Sequence, residues 1–270
     1  MFALEAGNGP PVVLLHGVTA NAFVWLPVLA ELATEFHVVA LDQRGHGRTT
    51  VGDGARYDAA AYAGDVAGVA VSLGEGPVVV VGHSLGARNA LVAAARAPAL
   101  YAGVVAIDFT PFISSDVFDL LDARVAAGGR DFADAEELRS YLRDRYPLLP
   151  EDAIERRAQH GYGTSPDGKL RPLAAREATL ETCRGLREDL SEAVASLSVP
   201  TSFVRGAQSA LVTEDAFERT RRLRPDLRAV VVEDTDHYVP EERPGAVAEI
   251  VASLGRDVAR PGPRRPSEGS

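Results

Sequence analysis

Four residue types are nearly missing from this chain of 270 residues, which has one cysteine, one tryptophan, one lysine and, at its start, one methionine. With Cys183 alone, no disulfide can form within the chain, and no metal site can be built on a set of thiolates. With Lys169 the only lysine, almost all the positive charge is arginine. That is a compositional bias, so an arginine acquires functional meaning only from where it stands. Positive charge is also in deficit overall. The formal net charge of −10 is the opposite of the basic surface that a general nucleic-acid binder needs to neutralise phosphates. No stretch approaches the roughly 18 to 20 uninterrupted apolar residues of a membrane span, and the first residues lack the charged-then-apolar layout of a secretory signal. The expectation is a cytoplasmic protein that acts on a small molecule, with no nucleic-acid or membrane partner. No motif for a metal or an organic cofactor is visible.

What is present is enough apolar sequence, 46% of the chain, for one large core. Short valine-rich runs, "VVLL" at 12–15, "HVVAL" at 37–41, "VVVV" at 78–81, "VVAI" at 104–107, "SFVR" from Ser202 and "AVVV" from Ala229, do not alternate with polar residues and read as strands buried on both faces. Segments 21–35, 84–97, 213–222 and 241–254 have helical composition and supply crossovers. The expected fold class is α/β, a mostly parallel sheet flanked by helices. Between Pro111 and Leu197 the pattern turns to helices with no convincing strand, which predicts an inserted helical cap over the carboxyl edge of the sheet. The expected organisation is a core of residues 1–110 and 198–255, a cap of 111–197, and a disordered Pro-, Gly- and Arg-rich tail of 256–270. Any antiparallel edge strand before the first confident strand is expected to be short or missing.

The sequence "VVGHSLGARN" from Val80 to Asn89 puts Ser84 at the tip of a strand-to-helix turn. Gly82 and Gly86 leave room for that turn and for the crossing of helix and strand, so Gly82-His83-Ser84-Leu85-Gly86 has the form of a nucleophile elbow. The helix that follows aims its free N–H groups and positive dipole end at the same place. The backbone N–H of Leu85, with that of Val18 after His16-Gly17, could form an oxyanion hole.

A serine hydroxyl needs a base, and the base needs an acid to fix its tautomer. Among six histidines, His237 is best placed, in the loop after the last strand at the carboxyl edge. His16 and His46 read as loop-bracing residues. His37 begins a strand at the far edge, His83 is held beside the nucleophile, and His160 lies in the cap. For the acid, the loop after the penultimate strand carries Ser209 where an aspartate is usual. Glu214 and Asp215 behind Thr213 look like first-turn helix residues. Asp108 ends the strand next to that of Ser84 and would lie roughly 5 to 10 Å sideways at the same edge, so it is the candidate acid.

In the cap, helical spacing puts Arg124 with Val117 and Leu121, and Arg145 with Leu138, Tyr141 and Leu142, on apolar faces. Arg139 and Arg143 turn toward solvent, and Tyr146 ends the second helix. A guanidinium on a buried face needs an anion. The partner is either an internal carboxylate or a carboxylate of the substrate.

These residues resemble the α/β-hydrolase superfamily and, within it, the (E)-2-(acetamidomethylene)succinate hydrolases of bacterial vitamin B6 breakdown. The likeness covers nearly the whole chain up to the tail. It rests on "VVLLHGVTAN", "HVVALDQRGHG", "VVVVGHSLGARNALVAAARAP", "VVAIDFTPFI", "YLRDRYP", "LRPLA" and "RLRPDLRAVVVEDTDHYV", of which "SLGARN", "AIDFTPFI" and "DRYP" are the narrowest. The resemblance implies a triad of Ser84, His237 and Asp108, oxyanion donors at Val18 and Leu85, and substrate-carboxylate contacts at Arg124, Arg145 and Tyr146. It implies amide hydrolysis of a small dicarboxylate through an acetyl-enzyme, with ammonia, carbon dioxide and succinic semialdehyde from the remainder. The short N-terminus and the basic tail depart from the family pattern. A general carboxylesterase or lactonase with the same triad, and a ligand-binding relative without turnover, are the competing expectations. Dehalogenase and epoxide-hydrolase chemistry would require an aspartate at position 84.

Overall fold

The computed structural model describes residues 1–259. The valine-rich runs become the strands of one seven-stranded sheet. In chain order these are β1 (Ala3–Ala6), β2 (Pro11–Leu15), β3 (His37–Leu41), β4 (Val78–His83) and β5 (Tyr101–Ile107), and, after the cap and its hairpin β6 (Tyr162–Thr164) and β7 (Leu170–Pro172), β8 (Thr201–Gly206) and β9 (Arg228–Val232). The spatial order is β1-β3-β2-β4-β5-β8-β9, all parallel except β1, which runs antiparallel to β3. β2 and β4 have no exposed residue, as expected of strands covered on both faces.

The crossover helices are α1 (Leu26–Leu32), α2 (Ala59–Leu73) and α3 (Leu85–Arg96). The cap carries α4 (Ser115–Gly128), α5 (Ala135–Arg145), α6 (Glu151–His160), α7 (Arg176–Gly185) and α8 (Ser191–Ala195). The chain then continues through α9 (Glu214–Leu223), the one-turn α10 (Val239–Glu242) and α11 (Pro244–Ala259). One apolar layer joins α2, α3 and α9 to one face of the sheet. A second joins α1 and α11 to the other face. A third, smaller cluster around Phe132, Leu138, Leu142 and Ile154 lies within the cap.

The antiparallel edge strand before the first parallel one is present and short, one of the two forms expected, and three other expectations need correction. β1 is only four residues long and its burial alternates, so it lacks the continuous apolar run that marks the others. The cap is not helical throughout, because the short β6–β7 hairpin closes around the turn at Asp167 and Gly168. Helix α2 lies in a segment not read as helical, although Asp58 caps its start by accepting the Ala61 N–H and left-handed Gly74 ends it. Finally, α11 continues through Ala259, four residues into the expected tail, and 260–270 lie outside the described residues.

Candidate active site

The register of the sheet brings two chemistry-bearing residues to the same edge. Gly82 pairs with Ala106 and His83 with Ile107, so the next residue on each strand, Ser84 and Asp108, leaves the sheet at the same level. The Ser84 N–H donates to Ile107 O at 2.8 Å, and the Asp108 N–H donates to Val204 O at 2.7 Å. The glycines of the elbow are required sterically. A Cβ on Gly82 would lie 2.1 Å from Gly86 C, and one on Gly86 would lie 2.1 Å from Leu15 O.

Among the described residues, the non-glycine positions with left-handed φ are Thr19, Ser84, Asp108 and Asp234. All four lie on loops at the carboxyl edge, after β2, β4, β5 and β9. Strain of this kind persists only where the surroundings enforce it, and it concentrates at functional sites.

Asp108 is fully buried and its carboxylate is held by three donors. Oδ1 accepts the Gly206 N–H at 3.0 Å, and Oδ2 accepts the Ser209 hydroxyl at 2.6 Å and His237 Nδ1 at 2.7 Å. With its Nδ1–H committed to a carboxylate, the His237 imidazole presents Nε2 as a free base. Ser84, His83, His237, Val18 and Gly17 line one cleft of about 350 Å³. The Ser84 hydroxyl makes no hydrogen bond to His237 among the described residues, and such contacts commonly tighten only when substrate binds. Leu85 follows Ser84 as the first residue of α3, so its N–H has no partner within the helix.

The remaining histidines separate by environment. His16 is buried, which depresses its pKa to about 4, and its ring bonds to Gly17 O at 2.8 Å and accepts the Gln43 N–H at 3.0 Å. Burial also depresses His46, to about 3. His83 is pushed well below the usual histidine range by burial and by His237, whose carbonyl its Nε2 meets at 2.7 Å. All three act as neutral braces. His37 lies at the opposite end of the sheet between Glu5 and Glu75, and the His160 ring stacks on Phe23 at 3.9 Å.

The cap supplies the other wall of the cleft through Leu121, Arg124, Val125, Arg145 and Arg157. Arg124 is exposed rather than buried, because the inner face of α4 borders the open cleft instead of packed protein. Its Nη2 donates to Arg145 O at 2.5 Å, and its guanidinium stands 5.6 Å from the Tyr146 ring centroid and 5.9 Å from that of Tyr238. Arg145 donates from Nε to the Tyr146 hydroxyl at 3.1 Å. Neither arginine pairs with a carboxylate among the described residues, so the internal ion pair anticipated as one alternative is not formed.

Burial alone would raise the Tyr146 phenol. The guanidiniums of Arg157, Arg145 and Arg124 outweigh it and hold the phenol below its ordinary value. Tyr238, also buried, is pushed up.

Sequence reasoning missed three participants. Arg157 and Glu241 form a buried bidentate ion pair, with Arg157 Nε 2.9 Å from Glu241 Oε1, and this pair ties α6 to the turn after His237. The Arg157 guanidinium also sits 4.3 Å from the Tyr146 ring centroid. Ser209, noted only as standing where an aspartate is usual, turns out to be a donor to Asp108. Its hydroxyl oxygen in turn accepts the Val212 N–H at 3.1 Å. Beside the cleft, sharing Thr19, Ala20, Val125, Arg145 and Arg157 with it, lies a second, partly open pocket under the cap. No group of three or more His, Cys, Asp or Glu side chains is arranged to hold a metal ion among the described residues, and no helix among them is long and apolar enough to cross a membrane.

Comparison with known proteins gives the site its context. A 2-(acetamidomethylene)succinate hydrolase of Mesorhizobium japonicum is 47% identical over 250 residues, 93% of this chain and 89% of that protein. An esterase of Mycobacterium tuberculosis is 28% identical over 254 residues, 92% of this chain and 83% of its own length. A crystal structure of E-2-(acetamidomethylene)succinate hydrolase superposes with a TM-score of 0.91 at 44% identity, covering 94% of each chain. Residues 12–250 match the alpha/beta hydrolase family, and the chain is a hydrolase belonging to that family.

Proposed function

We propose that this hydrolase cleaves the amide bond of a small dicarboxylate such as (E)-2-(acetamidomethylene)succinate, using Ser84 as nucleophile, His237 as base and Asp108 as the acid that orients it. The observation that carries the substrate class is the pair of guanidiniums at Arg124 and Arg145, which border the Ser84 cleft and pair with no carboxylate among the described residues. The similarity to hydrolases of that substrate points the same way.

In this reading the substrate's carboxylates lie against Arg124, Arg145 and the Tyr146 hydroxyl, which aligns the acetyl carbonyl over Ser84. Ser84 Oγ attacks that carbon while His237 Nε2 takes the hydroxyl proton. The tetrahedral oxyanion accepts the N–H groups of Val18 and Leu85. His237 returns the proton to the departing nitrogen as the C–N bond breaks, leaving acetyl-Ser84. Water, deprotonated by His237, then releases acetate. The freed enamine acid then takes up a second water, releases ammonia to give the aldehyde, and loses carbon dioxide to give succinic semialdehyde, with little need of the protein.

The cap segment 111–197 serves in this reading as the part of the molecule that selects substrate, over a core of 1–110 and 198–255 that performs the chemistry. The test is acetate release from (E)-2-(acetamidomethylene)succinate, with Ser84→Ala as the blank. Turnover by the native protein and none by the variant is the expected result. Turnover of acetyl esters but not of the dicarboxylate would transfer the protein to the esterase reading.

A further inference from the structure

Glu242 closes the one-turn helix that follows His237 and points back under the loop carrying that histidine. It is 5% exposed. Its Oε2 accepts the Asp236 N–H at 2.8 Å, while its Oε1 is buried with no partner. Asp236, whose backbone N–H makes that bond, also turns its carboxyl back toward the turn, where Oδ1 accepts the Tyr238 N–H at 3.0 Å, and it lies close enough to push the Glu242 carboxyl up. Two carboxyl groups thus meet on either side of the residue next to the base. If both were ionised, a buried oxygen would be left without a donor and opposite a like charge, a costly arrangement. If one proton is shared, every oxygen at the contact is satisfied, as in other facing carboxyl pairs.

The remaining charges nearby do not relieve this. Glu241 is a further anion, but Arg157 already neutralises it. Arg243 donates to the Glu242 carbonyl and reaches Asp234, 3.7 Å away. The segment Ala22–Trp25 and the first turn of α11, which pack against this turn, contribute no titratable side chain.

We infer that Glu242 is a positioning residue for His237, holding the 234–238 loop as a neutral acid that accepts the Asp236 N–H and gives its own proton to the Asp236 carboxylate. The loop has need of such a brace. Asp234 is in a left-handed conformation, and the Asp236 carbonyl passes so close to β8 that a Cβ on Gly206 would lie 1.9 Å from it. The Gln208 N–H holds Thr235 O at 2.8 Å and His83 Nε2 meets His237 O at 2.7 Å, and between those two supports the Asp236 N–H is held by Glu242. Consistent with this, burial and the neighbouring Asp236 push the Glu242 carboxyl up to about 8. Above that pH the shared proton is lost, and the two carboxylates repel across the loop.

The inference rests on His237 as the base but not on the identity of the acyl substrate, so it is tested with p-nitrophenyl acetate as well as the dicarboxylate. In the native protein kcat should fall above pH 8 by about tenfold per unit. Glu242→Gln keeps a donor and an acceptor in the same shape and cannot ionise. It should recover most of the kcat lost in Glu242→Ala, and it should abolish the fall between pH 8 and 9 with KM unchanged. The same titration appears in stability. A carboxyl raised in the folded state costs stability as pH climbs from its ordinary range toward 8, so Glu242→Gln should gain in Tm over the native protein between pH 6 and 9. A Gln variant that retains the native alkaline fall would overturn the inference, as would an Ala variant as active as the native protein. Should the Ala variant not fold, the pH profile of the Gln variant decides alone. Loss of dicarboxylate turnover with the ester profile intact would count against the substrate reading and leave Glu242 in its role.

Discussion

The two faces of the cap use arginine in opposite ways. On the outer face of α5, Arg139 meets Glu155 at 2.5 Å and Arg143 meets Glu151 at 2.6 Å, pairing α5 with α6. On the inner side, at the end of the same helix, Arg145 is half-buried and, among the described residues, its guanidinium is bonded to no carboxylate, only to the Tyr146 hydroxyl. Arg124 reaches the same space from α4. A third case separates the two, because Arg157 also faces the cleft but is neutralised by Glu241. Outer pairs at the surface contribute little, whereas charges held without a partner beside a nucleophile create a standing requirement for an anion. In the proposed reading, Arg139, Arg143 and Arg157 belong to the structure, and Arg124 and Arg145 to the ligand.

Four variants can break or sharpen that division. The largest effect should come from Asp108→Asn, which removes the anion that fixes His237 and should lower kcat by about 10⁴ on every substrate. A loss confined to one substrate would show that the acid lies elsewhere. Arg157→Met should leave Glu241 buried and alone, at a cost of about 3–5 kcal/mol in unfolding free energy by denaturant titration. A change of activity at native stability would move Arg157 from the structural to the ligand-binding set. Arg145→Met should lower kcat/KM for the dicarboxylate by about a hundredfold, as expected when one member of a desolvated charge pair is truncated. Neutral esters should be nearly unaffected, and equal losses on both would place Arg145 with the structural arginines. Arg143→Gln, at the exposed end of the comparison, should change neither the unfolding midpoint nor kcat.

The two regions also differ in how far they were legible in sequence. Buried parallel strands announce themselves by unbroken valine runs. The elbow is legible because Gly82 is dictated by a contact four residues away in sequence, Gly86, although Gly86 itself is dictated by Leu15 on the neighbouring strand. Asp108 could be reached by following the topology from Ser84 through one helix and one strand. What stayed hidden depends on pairings across long separations. The Arg157–Glu241 pair spans 84 residues and Ser209–Asp108 spans 101, and no local pattern marks Arg157, Glu241 or the bond that Ser209 makes. Helix α2 was missed because its alanine-rich sequence shows no strong apolar stripe. The helical spacing that put Arg124 on an apolar face was correct about direction but silent about what lay opposite, which is a cleft and not packed protein.

The account turns on whether the unpaired arginines serve an anion. The most direct measurement is the ratio of kcat/KM for (E)-2-(acetamidomethylene)succinate to that for a neutral acetyl ester, in the native protein and in Arg145→Met. The account predicts a ratio well above one that collapses in the variant. A ratio near one in the native protein, or one that survives removal of the guanidinium, would contradict it.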